Sequence, residues 1–451
     1  MKKIISFLLL TFFLISFFKS SYASTDTNTN TNTNTNTDIF INNKNEAKNT
    51  TELEIHDTSN NSHQKLFSEV FEFQKKWRLP SIVISIVEDG KQVWTKGLGL
   101  KDALFKNSDT SNRNSKNIKN NNATLNTIYR IASLSKPIAA MAIMKLYEDG
   151  KIDLNEKCSK YLNKYFNSSN SNYKEIPENL KNITVYQVLT HTSGIRHYDY
   201  EKGEKENDKP ITDPCDSMCM YGVLEEQLLF PPSCGYCYSS YAYNLLQYII
   251  ESVSGESYMQ FLQKNIFNPA NMTKSGLDHP VEGIQLEAIP YRLNENLNST
   301  SNFESSCQQY VEAPAIDVRW KKSGGGIAST VNDLSKFAMA LDNLKILKAE
   351  TLTKVYTSAK LPDGNLTQYG IGWHIFPVSD DKNDDNFWVG HGGGATGGSS
   401  YLLRNPKKKI AISILTNLQI RPSFLGMLAN RLAQVLYPNI PTFKIGSDAK
   451  K

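Results

Sequence analysis

Ser81-Ile-Val-Ile-Ser-Ile-Val87 runs into Glu88-Asp89-Gly90, and Gln92-Val-Trp-Thr-Lys-Gly-Leu98 follows. The first run is rich in β-branched residues and Asp89-Gly90 is a two-residue hairpin turn. Residues 81–98 therefore read as an antiparallel hairpin. A helix pattern (Leu66, Val70, Phe71, Phe73, Trp77) precedes it. Strand patterns resume near the C-terminus, at Trp373 to Val378, Phe387 to Val389, Ser399 to Leu403 and Ile410 to Leu415. Asn405-Pro406 marks a turn between the last two, and a helix from about Pro422 to Leu436 closes the series. Between the two strand groups lie an apolar helix starting near Ser133, segments at Leu154 to Phe166 and Val185 to Thr190, a cysteine-bearing loop, and a helix over Leu245 to Val253. Strands at both ends predict one antiparallel sheet built from both termini, with a mostly helical region inserted. That is an α/β (α+β) layered fold rather than a βαβ repeat.

The chain has 451 residues, 39% of them apolar, with 22 Tyr and 20 Phe, which is enough for a sizeable core. A formal charge of +5 is mild, and the lysines are scattered without interleaved aromatics, so nucleic acid is not an expected partner. No His-Glu-x-x-His, no Gly-x4-Gly-Lys-Ser/Thr and no Gly-x-Ser-x-Gly occurs. Those absences remove zinc proteases, P-loop enzymes and nucleophile-elbow hydrolases from the expected classes.

Lys2 and Lys3 followed by the apolar run Ile4 to Phe18 read as a secretory signal, with Ser21-Tyr22-Ala23 allowing cleavage after Ala23. The expectation is a secreted or secretory-lumen protein; an uncleaved anchor is the alternative, although the run is short for a membrane span. A mitochondrial presequence fits poorly, because the stretch has no arginine and is not amphipathic. No second long apolar run exists, so no stable span is expected after cleavage. Residues 24–62 are Asn/Thr-rich and expected to be disordered, 63–440 to form the domain, 106–122 to be a solvated loop insertion, and 441–451 a tail.

Six cysteines include two clusters, Cys215-x3-Cys219 and Cys234-x2-Cys237, with Cys158 and Cys307 apart. Disulfide cross-pairing between the clusters is the favoured reading in an oxidising lumen; a four-thiolate zinc site and free thiols are the alternatives. Eight Asn-x-Ser/Thr sequons (at 49, 60, 122, 167, 182, 271, 298 and 365) are compatible with glycosylation.

Ser133 and Lys136 sit one turn apart at the head of Ile-Ala-Ser133-Leu-Ser135-Lys136-Pro137-Ile-Ala-Ala-Met. A serine hydroxyl needs a base, and a lysine on the same helical face serves if burial lowers its pKa. The spacing recurs at Ser16…Lys19, Ser62…Lys65, Ser171…Lys174, Ser379…Lys382 and Ser447…Lys450, but only the copy at 133 precedes a run long enough to bury the pair. Tyr238-Ser239-Ser240 offers a phenol that can pass a proton to a leaving group, or simply a packed aromatic. The run Gly390-His391-Gly392-Gly393-Gly394 can bare a strand's N–H groups to a substrate, or be a flexible turn. Lys322-Ser323-Gly324 competes with it but leads toward a helix, so 391–394 is preferred.

Ser-x-x-Lys, Tyr-x-Ser where Tyr-x-Asn is usual, then His-x-Gly, in that order, resembles the class C β-lactamase and D-alanyl-D-alanine peptidase family. The likeness is nearest to its serine β-lactamase-like proteins and esterases with His-x-Gly. Leu189-Thr-His-Thr-Ser-Gly194, Pro232 to Leu246, Gly324 to Leu334 and Tyr369-Gly-Ile-Gly-Trp373 match as well, so the resemblance spans about residues 65 to 437. It implies a β-lactamase/transpeptidase-like fold, with Ser133 as acylated nucleophile, Lys136 as its activator and Tyr238 as proton shuttle. The N–H groups of Ser133 and Gly394 would form the oxyanion hole, while Ser240, His391 and Gly393 line the substrate channel. His191 would be structural. The expected activity is acyl-enzyme hydrolysis of an amide or ester on a small molecule or peptide, peptidase or esterase rather than antibiotic resistance, without metal or cofactor. The alternatives are a binding or scaffold protein that keeps the fold, or a metal-dependent role centred on the clustered cysteines. A disulfide or metal at Cys234 and Cys237 would fix the adjoining Tyr238.

Overall fold

The opening hairpin forms as β1 (Ser81–Glu88) and β2 (Lys91–Gly99), and it carries the edge of a six-stranded antiparallel sheet. The computed structural model describes residues 60–104, 121–166, 175–198, 221–294, 309–377 and 387–439. All of these belong to one compact unit, residues 55–451. The two Lys-rich ends, the Asn/Thr tract before Asn60, and Cys215, Cys219 and Cys307 lie outside the described residues.

The other strands are β3 (His374–Pro377), β4 (Phe387–Ala395), β5 (Gly398–Asn405) and β6 (Ile410–Thr416), and the sheet runs β2-β1-β6-β5-β4-β3. The two termini meet at β1 and β6, where Ile82 faces Thr416 and Ile86 faces Ile412. A continuous β-branched run, not an alternating one, suits β1 because both of its faces are covered. Ile82, Ile84 and Ile86 point to one core, Val83 and Val87 to the other. The first core is closed by α1 (Asn60–Trp77) through Leu66 and Val70, and by the last helix, Pro422–Leu436, through Leu425, Leu428 and Leu432. Numbered in chain order, that last helix is α5.

Against the opposite face lie α2 (Ser135–Glu148), α3 (Ser240–Ser254) and α4 (Val331–Asp342). Helix α2 buries nearly its whole circumference, from Ser135 to Met144 and again at Leu146. A helix that apolar all round belongs at the centre of a core. Pro137 falls in its first turn, where no intrahelical donor is lost.

The strand expected at Phe387 to Val389 continues to Ala395, through the whole glycine run. Glycine has low intrinsic strand preference, so the extension is decided by pairing with β5: Gly392 faces Tyr401, Gly393 faces Ser400 and Gly394 faces Ser399. On its other side β4 pairs with β3 only from Phe387 to Gly390. Residues 391–394 therefore turn an edge, not a strand partner, toward the head of α2.

Candidate active site

Ser133 lies in a 3-10 turn, Ala132–Leu134, that delivers the chain into α2. Ala132 holds a left-handed backbone, φ 49°, which a residue with a Cβ rarely adopts. The turn is tied down around it. Leu134 N–H donates to the Ile131 carbonyl at 3.1 Å. Ser135 Oγ donates to the Ala132 carbonyl at 2.7 Å and accepts from Ile327 N–H at 3.0 Å. Ser133 itself is only half-buried, so its hydroxyl can meet a ligand.

Lys136 is fully buried, and its Nζ donates to Ser133 Oγ at 3.1 Å, Ser240 Oγ at 2.9 Å and the Gly324 carbonyl at 2.6 Å. Three helices thus meet at one nitrogen. A Cβ on Gly324 would stand 2.1 Å from Asn244 Oδ1 and 3.1 Å from the Ser240 carbonyl oxygen, so any larger residue there displaces the buried Asn244 amide. The Lys322-Ser323-Gly324 segment forms a short helix, and its carbonyl, not a strand edge, reaches the site. By contrast Ser62 and Lys65, another pair with the same spacing, sit on the outer side of α1, where Lys65 is exposed.

Tyr238 packs its ring 4.9 Å from Lys136 Nζ, centroid to nitrogen. It is held between His191, with ring centroids 4.4 Å apart, and His197, perpendicular at 5.3 Å. Ser239 caps α3: its Oγ accepts from Ala242 N–H at 3.0 Å and donates to the Arg196 carbonyl at 2.7 Å. Ser240 then begins the helix and faces Lys136, nearly without solvent exposure.

Gly393 lies directly against the Ala132–Leu134 turn. A Cβ on it would stand 2.1 Å from the Ile131 carbonyl oxygen and 3.1 Å from Ser133 N. Gly394 faces the other way, toward Pro422 of α5. His391 is buried, with Nδ1 2.8 Å from the Gly392 carbonyl and Nε2 3.1 Å from Tyr369 Oη. The structure therefore brings Ser133, Lys136, Tyr238, Ser240 and Gly393 together around one point, and sets His391 behind that point against Tyr369.

Composition did not reveal how rich in rings this wall is. His191, His197, His374 and His391, from a chain with seven histidines, cluster with Tyr236, Tyr238, Tyr243 and Tyr369. The only hint in the sequence is that four members of so scarce a residue type fall in or beside the matched stretches. Burial, and then the Lys136 charge, holds His191 well below the usual imidazole range. Burial with His374 and Lys136 does the same to His391, while His197 falls to about 3 and His374 to about 4. Burial pushes the phenols of Tyr243 and Tyr369 well up. The four histidines, Tyr243 and Tyr369 are neutral at pH 7.

Depressed histidines make the fold acid-sensitive. The unfolded chain takes up protons below pH 6.5 that the folded chain refuses, so stability is complete above that pH and falls as pH drops toward 3. Each unit of depression corresponds to about 1.4 kcal/mol. The melting temperature should be level from pH 8 to 7 and fall between pH 6.5 and 5, above the range where most carboxylates titrate. A flat profile over that interval would show that these rings are not excluded from protonation by the fold.

The cysteine expectation needs correction. Cys234 is an exposed thiol, and no disulfide is present among the described residues. Cys237 Sγ lies 3.7 Å from the Tyr238 carbonyl, which it faces as a weak donor. Tyr238 is instead fixed by ring packing and by the hydrogen bonds of the two residues after it, which no spacing of cysteines could show. The zinc alternative needs Cys215 and Cys219, outside the described residues.

Residues 68–436 match the Beta-lactamase family model. The chain belongs to the β-lactamase family. The mouse (Mus musculus) serine beta-lactamase-like protein LACTB, mitochondrial, is 25% identical over 75% of this chain and 74% of its own length. The octameric penicillin-binding protein homologue from Pyrococcus abyssi is 28% identical, with a TM-score of 0.63 over 83% of this chain and 77% of that one. A class C beta-lactamase superposes with a TM-score of 0.62 over 86% of this chain and all (100%) of its own, at 18% identity, a likeness of fold.

The secretory expectation is overturned by the same comparison. The mouse protein and its counterparts from Bos taurus and Homo sapiens, each matched over 75% of this chain, are named as mitochondrial. A basic pair before an apolar run is a short compositional signal, which different targeting routes can share. With the secretory route goes the warrant for glycosylation at the sequons. Asn271 is a left-handed helix cap, and the Asn365 amide donates to Asp363 at 2.7 Å. No helix among the described residues is long and apolar enough to cross a membrane.

Proposed function

We propose that this protein hydrolyses an amide or ester through an acyl-enzyme formed on Ser133. The observation that carries the reading is the fully buried Lys136 amine, which bridges Ser133 Oγ and Ser240 Oγ. As Ser133 Oγ bonds to the acyl carbon, Lys136 takes its proton in the deprotonated form of the amine, which keeps two N–H donors for Ser240 Oγ and the Gly324 carbonyl and turns its lone pair to Ser133 Oγ. Tyr238, packed on that amine, passes a proton to the departing amine or alkoxide, and the bond to the leaving group breaks. The oxyanion is received by the N–H groups of Ser133 and Gly394, from a turn and a strand edge that need no rearrangement to present them. Water then attacks the acyl carbon by the reverse proton route and releases the acid.

Ser240 stands where the family usually has asparagine. Its oxygen accepts from Lys136, which leaves one O–H to donate to a ligand. That is a smaller polar grip than an amide, and it favours peptidase or esterase action over efficient β-lactam hydrolysis.

Incubation with a fluorescent penicillin and with an activated acyl ester, followed by intact mass, tests the reading. A covalent adduct that maps to Ser133 and is missing in Ser133→Ala is the expected result. Failure of both probes to label the wild-type protein would overturn it in favour of a binding or scaffold role for the fold.

A further inference from the structure

We propose that His191 and His197 are positioning residues: their ring Nδ1 atoms accept the N–H groups of Ser239 and Ser240 and so set Tyr238 and Ser240 against Lys136. The inference rests on the function proposed above for its kinetic consequence, but not for its geometry.

A helix begins with N–H groups that have no partner inside the helix. At α3 the Ser239 hydroxyl serves the Ala242 N–H, in the ordinary way of a serine cap. The two N–H groups just before are served from a distant loop. Ser239 N–H donates to His191 Nδ1 at 3.1 Å, and Ser240 N–H donates to His197 Nδ1 at 3.2 Å. Two further bonds run between the same segments: Ser239 Oγ to the Arg196 carbonyl at 2.7 Å and Cys237 N–H to the His191 carbonyl at 2.9 Å. The loop and the helix start are stapled at four points, immediately beside Lys136.

Accepting at Nδ1 places the proton of a neutral imidazole on Nε2. For His191 that Nε2 is buried without a hydrogen-bond partner, facing no acceptor that would reward it. Such a ring is tolerated when its other nitrogen has a task. The backbone of His191 is held at φ 58°, a conformation that few non-glycine residues adopt, so the ring is aimed by a strained hinge.

A proton on either Nδ1 would turn an acceptor into a donor opposite another donor, and the staple would open. The groups described against these rings oppose that proton or are indifferent to it. His191 meets the rings of Tyr236, Tyr238, Tyr243 and Tyr369, and the Lys136 charge together with His391, His374 and His197. His197 meets Tyr198, Tyr238, and the charges of Lys136 and Arg196. No carboxylate is among these described groups.

Asparagine separates acceptor from ring. Its Oδ1 hangs on Cγ as Nδ1 does, it does not titrate, and it tolerates the left-handed backbone of residue 191. The test compares His197→Ala, His197→Asn, His191→Ala and His191→Asn by the rate of Ser133 acylation with an activated acyl ester from pH 5 to 8. The expected result is a loss of tenfold or more in each alanine variant. The asparagine variants recover most of the rate across that pH range. Asparagine variants as slow as the alanine ones would overturn the proposal, because the rings would then act only by filling space. A second readout does not depend on turnover. In protein labelled with 15N-histidine, both rings should show the Nε2–H tautomer at pH 7, and the Nδ1–H tautomer at either overturns the proposal. Absence of acylation in the wild-type protein with the Nε2–H tautomers present would sink the hydrolase reading and leave the staple standing.

Discussion

Ser133→Ala is expected to lower kcat/KM for an activated ester by roughly 10^4-fold or more, the scale seen when a catalytic serine is deleted from other hydrolases. The melting temperature should change little. Ser133 Oγ is half-exposed and its named partner is Lys136, which keeps the Ser240 hydroxyl and the Gly324 carbonyl when that oxygen is gone. Removal of Oγ therefore takes away the nucleophile without leaving the buried amine unsolvated. Steady-state kinetics and a thermal melt on the same preparation check both halves. Turnover within tenfold of wild type would place the nucleophile elsewhere. A large drop in melting temperature would show that the serine is chiefly structural.

Gly393→Ala is expected to cut the same activity by about 10^2-fold or more and to destabilise the fold by about 1–3 kcal/mol. The added Cβ would meet the Ile131 carbonyl oxygen at 2.1 Å and Ser400 Oγ at 2.3 Å. The carbonyl is backbone and cannot turn aside. Ser400 Oγ already donates to that carbonyl at 2.7 Å, so the new methyl breaks a bond that ties β5 to the turn carrying Ser133. The strand edge must then retreat from Ser133 N, which widens the pocket proposed for the oxyanion. Gly394→Ala is expected to cost less: its Cβ would meet Pro422 Cγ at 3.1 Å, on the side away from Ser133, and the N–H proposed for the oxyanion is kept. Equal effects at the two positions would sink the claim that β4 presents only one face to the site. Burst kinetics for acylation, with urea melts for stability, separate the two components.

Several parts of this architecture were legible without coordinates because they are local. The Asp89-Gly90 hairpin and the helix from Pro422 to Leu436 form where the patterns placed them. Pairing of the two chain ends followed from strands lying on either side of a helical stretch, and β1 does lie beside β6. The glycine run was half legible. Its value as a bare edge could be read, but its strand character could not, since that is conferred by Ser399, Ser400 and Tyr401 across the ladder. The cysteines pointed to a disulfide because they are close in sequence and even in number, and neither property measures whether Cys234 has a partner in space.

The sequence by itself determined the order of helices and strands, the sheet drawn from both ends, and the Ser133–Lys136 pair, whose i, i+3 spacing makes contact within one turn of chain. Periodicity and turn chemistry act over a few residues, so a few residues suffice to read them. Only the tertiary structure decided that Ser240, Gly324 and Gly393 converge on that pair. It alone gathered four scarce histidines into one wall. Those contacts join segments about a hundred residues or more apart. They depend on how two cores close around the sheet, and no local pattern encodes where a packed side chain will find its partner.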